Sequence, residues 1–399
     1  MEVKKLFEDY LDDLDTFFEI LEQYYKVKLV PRQSVIIFDE VQQYPPARQL
    51  IKYLVADGRY DYIETGSLVS LKTNIDDILI PSEEERLSLN PMDFEEFLWA
   101  NGYGKEAIDD VYLHYQKNES LSEEQHNYLL DLFIRYLLVG GLPDVVNEYL
   151  ASHNIVNVRT IQNAIAQMYE SDASQYEENA SRKLLVRRIY SMVVSQMENK
   201  KKRIQVQDIQ DKKGDRFVRY VDEFEYLISS AISLGVNAIA NPCFPLSESL
   251  HKNLLKLYLN DVGLLTAKLF DKNIQPVLQY QRSINLGAVY ESVVAQELVA
   301  HGYQLFYYDN RQKGEVDFIV DDYEHGSLLP IEVKSGRDYT IHSALSNMLN
   351  NPDYGICRGI VFSNERNVNV DNKVLYMPIY YVMFLDRDKV VLDSAEYIF

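Results

Sequence analysis

Apolar residues recur at three- and four-residue spacing near the start of the chain: Leu6, Phe7, Tyr10, Leu11, Leu14, Phe17, Phe18 and Leu21. That period predicts an amphipathic helix over the first 30 residues, closed by Pro31. SVIIFDE (34–40) breaks the period. It is a continuous apolar run ending in two carboxylates, the pattern of a buried parallel strand. VQQYPPARQLIKYLVADG (41–58) predicts a loop and a helix, and YDYIETGS (60–67) a second short strand ending in a polar turn. Strand, helix, strand in that order implies a parallel α/β unit.

From Pro91 to about residue 180 the pattern is helical, with stripes in PMDFEEFLWANG, HNYLLDLFIRYLLVGG and VRTIQNAIAQMYES. Gly140-Gly141 with Pro143 punctuates this region. RKLLVRRIYSMVV predicts a helix, IQVQDIQ a short strand and helix, and DRFVRYVDEFEYLISSAISLG a longer helix ending at Gly235. GVNAIANP and LLKLYLND follow as two strands. Helices followed by a hairpin suggest a winged helix; the plainer reading is a helical connector. The last third reads α-β-β-β-α-β: a helix at 286–302, strands at 304–310, 315–322 and 328–336, a helix at 340–350 and a strand at 359–364. The chain is thus α/β, with expected divisions at 1–90, 91–180, 181–275 and 276–399.

Composition narrows the class. A chain of 399 residues with 47% hydrophobic and 25% charged residues has the balance of a soluble globular protein of more than one domain. No stretch approaches the ~20 apolar residues of a membrane span, and MEVKKLFEDYLDDLD has no apolar signal-peptide core. Cys243 and Cys357 are too few for a zinc cluster or a disulfide framework, so a reducing cytoplasm is expected. The seven histidines sit singly and read as surface or core residues.

The net charge is −21, from 61 acidic and 40 basic residues. Such a surface repels phosphate backbones, so nucleic-acid binding requires a local basic patch. Residues 182–219 supply one: Arg182, Lys183, Arg187, Arg188, the run Lys200 to Arg203, Lys212, Lys213, Arg216 and Arg219. This segment is the candidate contact for DNA; the alternative is a solvated basic face.

The strongest chemical signal is EVDFIVDDYEHGSLLPIEVK. Asp317 lies on one predicted strand, and Glu332 and Lys334 lie two apart on the next, sharing a face. Two carboxylates converging from adjacent strands can hold a hard cation such as Mg²⁺. A lysine beside them can stabilise the anionic transition state of phosphodiester cleavage. Glu291, on the preceding helix, adds a ligand or orients one. Glu315 reads as a solvated flank. The acid-then-ExK pattern resembles the PD-(D/E)xK nuclease superfamily, with its helix glutamate at Glu291. An inactive relative, or a surface strand of alternating charge, is the competing reading.

The second signal is VIIFDEVQ (35–42), which resembles the Walker B strand of a P-loop ATPase. That resemblance implies that Asp39 holds Mg²⁺ through water and that Glu40 polarises the attacking water. Thr65-Gly66-Ser67 closes the next strand, where AAA-type ATPases place a polar sensor; Ser67 is the candidate. An ordinary strand-to-loop turn is the alternative.

Together the segments SVIIFDEVQ, TGSL, LNPMDFEEFLWA, YLLVGGLPDVV, LKLYLNDVGLL, LGAVYESVVAQEL, GEVDFIV and LLPIEVKSG resemble a prokaryotic family of AAA-type ATPases followed by a conserved domain of unknown function. The resemblance implies an AAA-type parallel-sheet domain, a helical and winged-helix-like middle, and a C-terminal restriction-endonuclease-like module. Members carry a GxxxxGK[ST] loop that cradles ATP phosphates; these 399 residues contain none. The expectation is therefore an incomplete, N-terminally truncated member that does not hydrolyse ATP. Ser82-Glu83 stands where members have a Gly followed by a basic residue, with Arg86 out of register. Three functions follow: an ATPase relative, an Mg²⁺- or Mn²⁺-dependent nuclease, or a non-catalytic interaction module prone to self-association.

Overall fold

The computed structural model describes residues 3–44, 46–66, 85, 87–172, 180–197, 203–210, 216–249, 251–270, 274–278, 286–336 and 338–385. They form two compact units, Met1–Leu89 with Ser229–Ala231, and Asn90–Ile228 with Ile232–Phe399.

In the first unit the predicted long helix is two helices, α1 (Val3–Tyr10) and α2 (Leu14–Tyr25). The break lies at Leu11-Asp12-Asp13, where Asp13 caps α2 by accepting from the Thr16 N–H at 3.2 Å. β1 (Val35–Phe38), α3 (Pro46–Asp57) and β2 (Asp61–Glu64) follow, and β1 runs parallel to β2, pairing Val35 with Asp61 and Phe38 with Glu64. Ile36, Phe38 and Tyr62 pack on a core of Phe7, Phe17, Phe18, Ile51 and Leu54. Among the described residues the other face is uncovered: Val35, Ile37 and Ile63 are exposed. The apolar run does form a parallel strand, but among the described residues it is covered on a single face, against the expectation of a buried one.

The second unit opens with helices α4 (Phe94–Ala100), α5 (Lys105–Gln116), α6 (Glu123–Val139), α7 (Pro143–Ser152), α8 (Ile155–Asp172), α9 (Ala180–Met197), α10 (Val206–Gln210) and α11 (Val221–Ser229). β3 (Ser233–Ile239) and β4 (His251–Leu259) form an antiparallel pair, followed by α12 (Val262–Leu269) and α13 (Ile274–Leu278). Gly235 lies inside β3 rather than at a helix end, and among the described residues no strand directly precedes α10. FEYLISSAISLGV is mostly apolar, broken by Glu225 and three serines, and periodicity does not separate buried helix from buried strand in such a run.

α14 (Gly287–Ala300), β5 (Phe306–Asn310), β6 (Gly314–Asp322), β7 (Ser327–Val333), α15 (Ser343–Leu349) and β8 (Gly359–Ser363) give the expected α-β-β-β-α-β order. β9 (Asn369–Asp371) and β10 (Val374–Pro378) add two strands. All lie in one mixed sheet of order β4-β3-β5-β6-β7-β8-β10-β9. β5, β6 and β7 are antiparallel neighbours, while β7 and β8 are parallel. The sheet runs through the expected 275/276 division, because β3 pairs in parallel with β5.

α14 is buried from Ala288 through Leu298. A helix buried on every side needs cover on every side: it packs on β3, β4 and β7 and also on α12 and the turn Ile379–Phe384. Its polar residues are therefore buried and must be paired. Glu297 accepts from the Phe94 N–H at 2.9 Å and the Tyr136 hydroxyl at 3.0 Å. Gln296 accepts from the Val262 N–H at 2.8 Å. Asp261, fully buried, accepts from the Gly141 N–H at 2.7 Å and the Leu264 N–H at 3.0 Å. The motifs LNPMDFEEF, YLLVGGLPDVV, LNDVGLL and AVYESVVAQEL thus meet in one buried polar network. Among the described residues no helix is long and apolar enough to cross a membrane.

Candidate functional site

β6 and β7 pair with Phe318 opposite Ile331, which brings the predicted residues together. The Asp317 Oδ2 accepts the Val333 N–H at 2.9 Å, so the carboxylate is fixed against the next strand. Lys334 Nζ donates to Glu332 Oε1 at 2.6 Å, as expected for positions two apart on one strand face. Against β5, β6 carries one extra residue: Phe306 pairs with Ile319 but Tyr308 with Val316. The bulge spans Asp317 and Phe318. Bulges re-aim side chains and are common beside functional sites.

Glu332 is 6% exposed and Glu291 5%. Burial, reinforced by the Asp317 charge, pushes the Glu332 carboxyl well above the ordinary carboxylate range, while Lys334 opposes the shift. For Lys334 burial works downward, and Glu332, Asp317 and Glu291 outweigh it, leaving the ammonium above its usual value. The second oxygen of Glu332, Oε2, is buried without a hydrogen-bond partner. Buried carboxylate oxygens are normally satisfied.

Three further residues join this centre. Lys256 on β4 is 1% exposed, donates to Glu315 Oε1 at 2.8 Å and lies 4.6 Å from the Tyr307 ring centroid. Burial would depress its pKa; the Glu291, Glu315 and Asp317 carboxylates outweigh burial and hold it charged. Arg203 bridges Asp309 at 3.2 Å and Glu315 at 3.1 Å. Tyr258, two residues beyond Lys256, donates to Glu291 Oε2 at 3.3 Å. Glu315 is therefore not a solvated flank. It joins the buried Lys256 to the half-buried Arg203, because a lysine inside an apolar strand requires a counter-charge. The available sequence signal was that lysine, standing inside LLKLYL.

Glu291, Asp317 and Glu332 do not form a ready three-carboxylate cage. Among the described residues, the group of three whose ligand atoms all lie within 4.8 Å is Asp322, Glu324 and His325. That group sits at the β6–β7 turn, where Arg358 pairs with Asp322 at 3.1 Å and Glu324 at 3.6 Å. Two carboxylates still suffice for Mg²⁺, which keeps several waters.

In the first unit, Asp39 and Glu40 directly follow β1. The Thr65 hydroxyl donates to Asp39 and accepts from the Glu40 N–H, the latter at 3.3 Å. Glu40 has φ 54°, a left-handed conformation that non-glycine residues adopt at a cost. Thr65, which opens the Thr65-Gly66-Ser67 turn, is thus a polar partner of Asp39. Ser67 lies outside the described residues, as do Ser82-Glu83, Arg86, Lys200 to Lys202, Lys212 and Lys213.

Among the described residues of the basic segment, several arginines are engaged internally. Arg182 pairs with Asp222 at 2.5 Å and Glu223 at 3.2 Å. Arg187 donates to the Glu170 carbonyl at 3.2 Å and Arg188 to the Asp208 carbonyl at 3.1 Å.

Three family models match consecutive parts of the chain: an AAA domain over residues 4–98, a domain of unknown function (DUF8612) over 130–274 and a second (DUF4143) over 286–382. Together they support an AAA-like, ATPase-like family with C-terminal domains of unknown function. No curated protein and no solved structure matches the chain.

Proposed function

We propose that this AAA-like protein carries, in its C-terminal sheet, a divalent-metal-dependent phosphodiesterase centre of the PD-(D/E)xK nuclease type. The observation that carries the reading is the β6–β7 pairing, which sets Asp317 on the Val333 N–H beside the Glu332–Lys334 pair and leaves Glu332 Oε2 buried without a partner. The residues fit a hard cation: carboxylate oxygens are the ligands Mg²⁺ and Mn²⁺ prefer, and an orphaned buried one is otherwise costly. Asp317 and Glu332 would hold the ion, and Glu291 would add a ligand or orient one. The ion would supply a more acidic water and charge stabilisation at the phosphoryl oxygens. Lys334, partly exposed, fixes Glu332 and offers its ammonium to the developing negative charge.

The test is cleavage of single- and double-stranded DNA with Mg²⁺ or Mn²⁺ and with chelator. Expected is metal-dependent cutting that Lys334→Ala lowers by at least about a hundredfold. Equal cutting by wild type and Lys334→Ala overturns the reading.

A second reading concerns nucleotide. The Thr65 contact with Asp39 and Glu40 favours a Walker B-like role for this turn. With no GxxxxGK[ST] in the sequence, we propose that the 399-residue chain does not itself hydrolyse ATP.

A further inference from the structure

Two chain segments that match separate domain families converge on the carboxylate centre. β4 lies in the segment matched as DUF8612, and α14, β6 and β7 in that matched as DUF4143. β4 pairs with β3 and β3 with β5, so it belongs to the same sheet although it precedes the α-β-β-β-α-β segment. Lys256 and Tyr258 stand two apart on β4 and share a face. Each is buried, and each meets a carboxylate of the centre or its flank: Tyr258 donates to Glu291 at 3.3 Å, and Lys256 holds Glu315 at 2.8 Å. Glu315 lies two residues before Asp317, at the edge of the β6 bulge.

We infer that β4 completes the centre: Tyr258 is the positioning residue for Glu291, and Lys256, through Glu315, fixes the strand segment that presents Asp317. The two matched segments then form one functional unit rather than two independent domains. The inference rests on the metal-dependent reading above.

The physical argument is one of freedom removed. Glu291 stands on a helix, with three rotatable side-chain torsions, and the Tyr258 hydroxyl meets its Oε2 at 3.3 Å. A buried phenol is a donor with nowhere else to donate, so it selects one carboxylate rotamer. Outer partners of this kind orient ligands and tune affinity. Lys256 keeps Glu315 from turning away, while Arg203 holds its other oxygen.

The experiment uses the full chain and Mn²⁺ alone, with affinity read by electron paramagnetic resonance and folding by thermal melting. Tyr258→Phe removes one oxygen and keeps the ring, so the fold is retained; Lys256→Met strips a buried cation and is the harsher variant. Expected is Mn²⁺ binding weakened roughly tenfold by Tyr258→Phe. In a Glu291→Gln background the same change should matter less than about twofold, because the group it positions is gone. Equal weakening in both backgrounds overturns the inference, since a merely structural role would give that result. Wild-type affinity in Tyr258→Phe, with loss in Asp317→Asn, also overturns it while the reading of the centre stands. If wild type and Asp317→Asn bind Mn²⁺ equally, the centre is not a metal site and the inference falls with it.

Discussion

The Tyr136 hydroxyl donates to the Glu297 carboxylate at 3.0 Å, and neither side chain is exposed. The same oxygen of Glu297 accepts the Phe94 N–H, while its Oε2 is buried without a partner. Burial, with the nearby Asp93 charge, pushes Glu297 up to about 8 from an ordinary 4.5. The folded protein therefore keeps a proton that the unfolded chain loses between those values. Stability from this group is full below about pH 4.5 and is lost as pH rises towards 8. Glu297→Gln keeps the acceptor and cannot ionise. It should match wild type near pH 5 and exceed it by up to ~4 kcal/mol near pH 9. Urea unfolding read from Trp99 fluorescence, on the helix whose first N–H Glu297 holds, measures this. Parallel pH profiles for the two proteins would defeat the assignment.

Much of this organisation was legible in the sequence, and what was not has a physical reason. Asp317, Glu332 and Lys334 sit within 18 residues on adjacent strands, so period-two alternation alone brings them together. Lys256 and Tyr258 reach the same place from a strand some 60 residues earlier, through a sheet order no local pattern encodes. α14 was legible as a helix, but its apolar residues surround it; only tertiary context separates the Glu291 side from the Glu297 side. Register at a strand end is set by pairing, which sequence alone does not give: Thr65 follows β2 directly and donates its N–H to the Phe38 carbonyl at 3.0 Å, while Ser67, the sequence candidate, lies outside the described residues. The helix-versus-strand ambiguity of SSAISLGV was resolved by β3 pairing with both β4 and β5.

Gly141 is held where chains cross. Its N–H goes to Asp261 and its carbonyl accepts the Met92 N–H at 2.8 Å. A Cβ there would lie 2.0 Å from the Met92 carbonyl oxygen, backbone that cannot step aside. Gly141→Ala should lower stability by about 2–3 kcal/mol. Gly336→Ala, with nothing within 4 Å of the added carbon, should change it by less than about 0.5 kcal/mol. Comparable urea midpoints for the two variants would contradict this crossing.

Arg182 separates a structural from a ligand-binding use of the basic segment. Its guanidinium meets Asp222 and the buried Glu223, whose Oε2 has no hydrogen-bond partner. Arg182→Ala should cost about 1–2 kcal/mol, since it strands a buried carboxylate. Arg135→Ala, which breaks an exposed i,i+4 pair with Asp131 and a 3.3 Å bond to the Tyr149 hydroxyl, should cost less than about 1 kcal/mol. Matched denaturation curves decide between them. Equal losses would mean that Glu223 finds water or another partner when Arg182 is gone.

The final prediction concerns the turn after β1. Thr65, Asp39 and the Glu40 N–H form a connected polar group at the end of β1, and in the proposed Walker B-like reading that group would position Mg²⁺ and water. Positioning water contributes nothing unless the terminal phosphate is held in place. That hold needs a loop of backbone amides and a lysine, and the sequence contains no GxxxxGK[ST]. Phosphate release from ATP by the 399-residue chain should therefore stay at the uncatalysed background, and Glu40→Gln should leave it there. Turnover above background that Glu40→Gln abolishes would show that a different set of residues cradles the phosphates. Thr65→Val would then be the next variant, expected to lower that turnover by releasing Asp39.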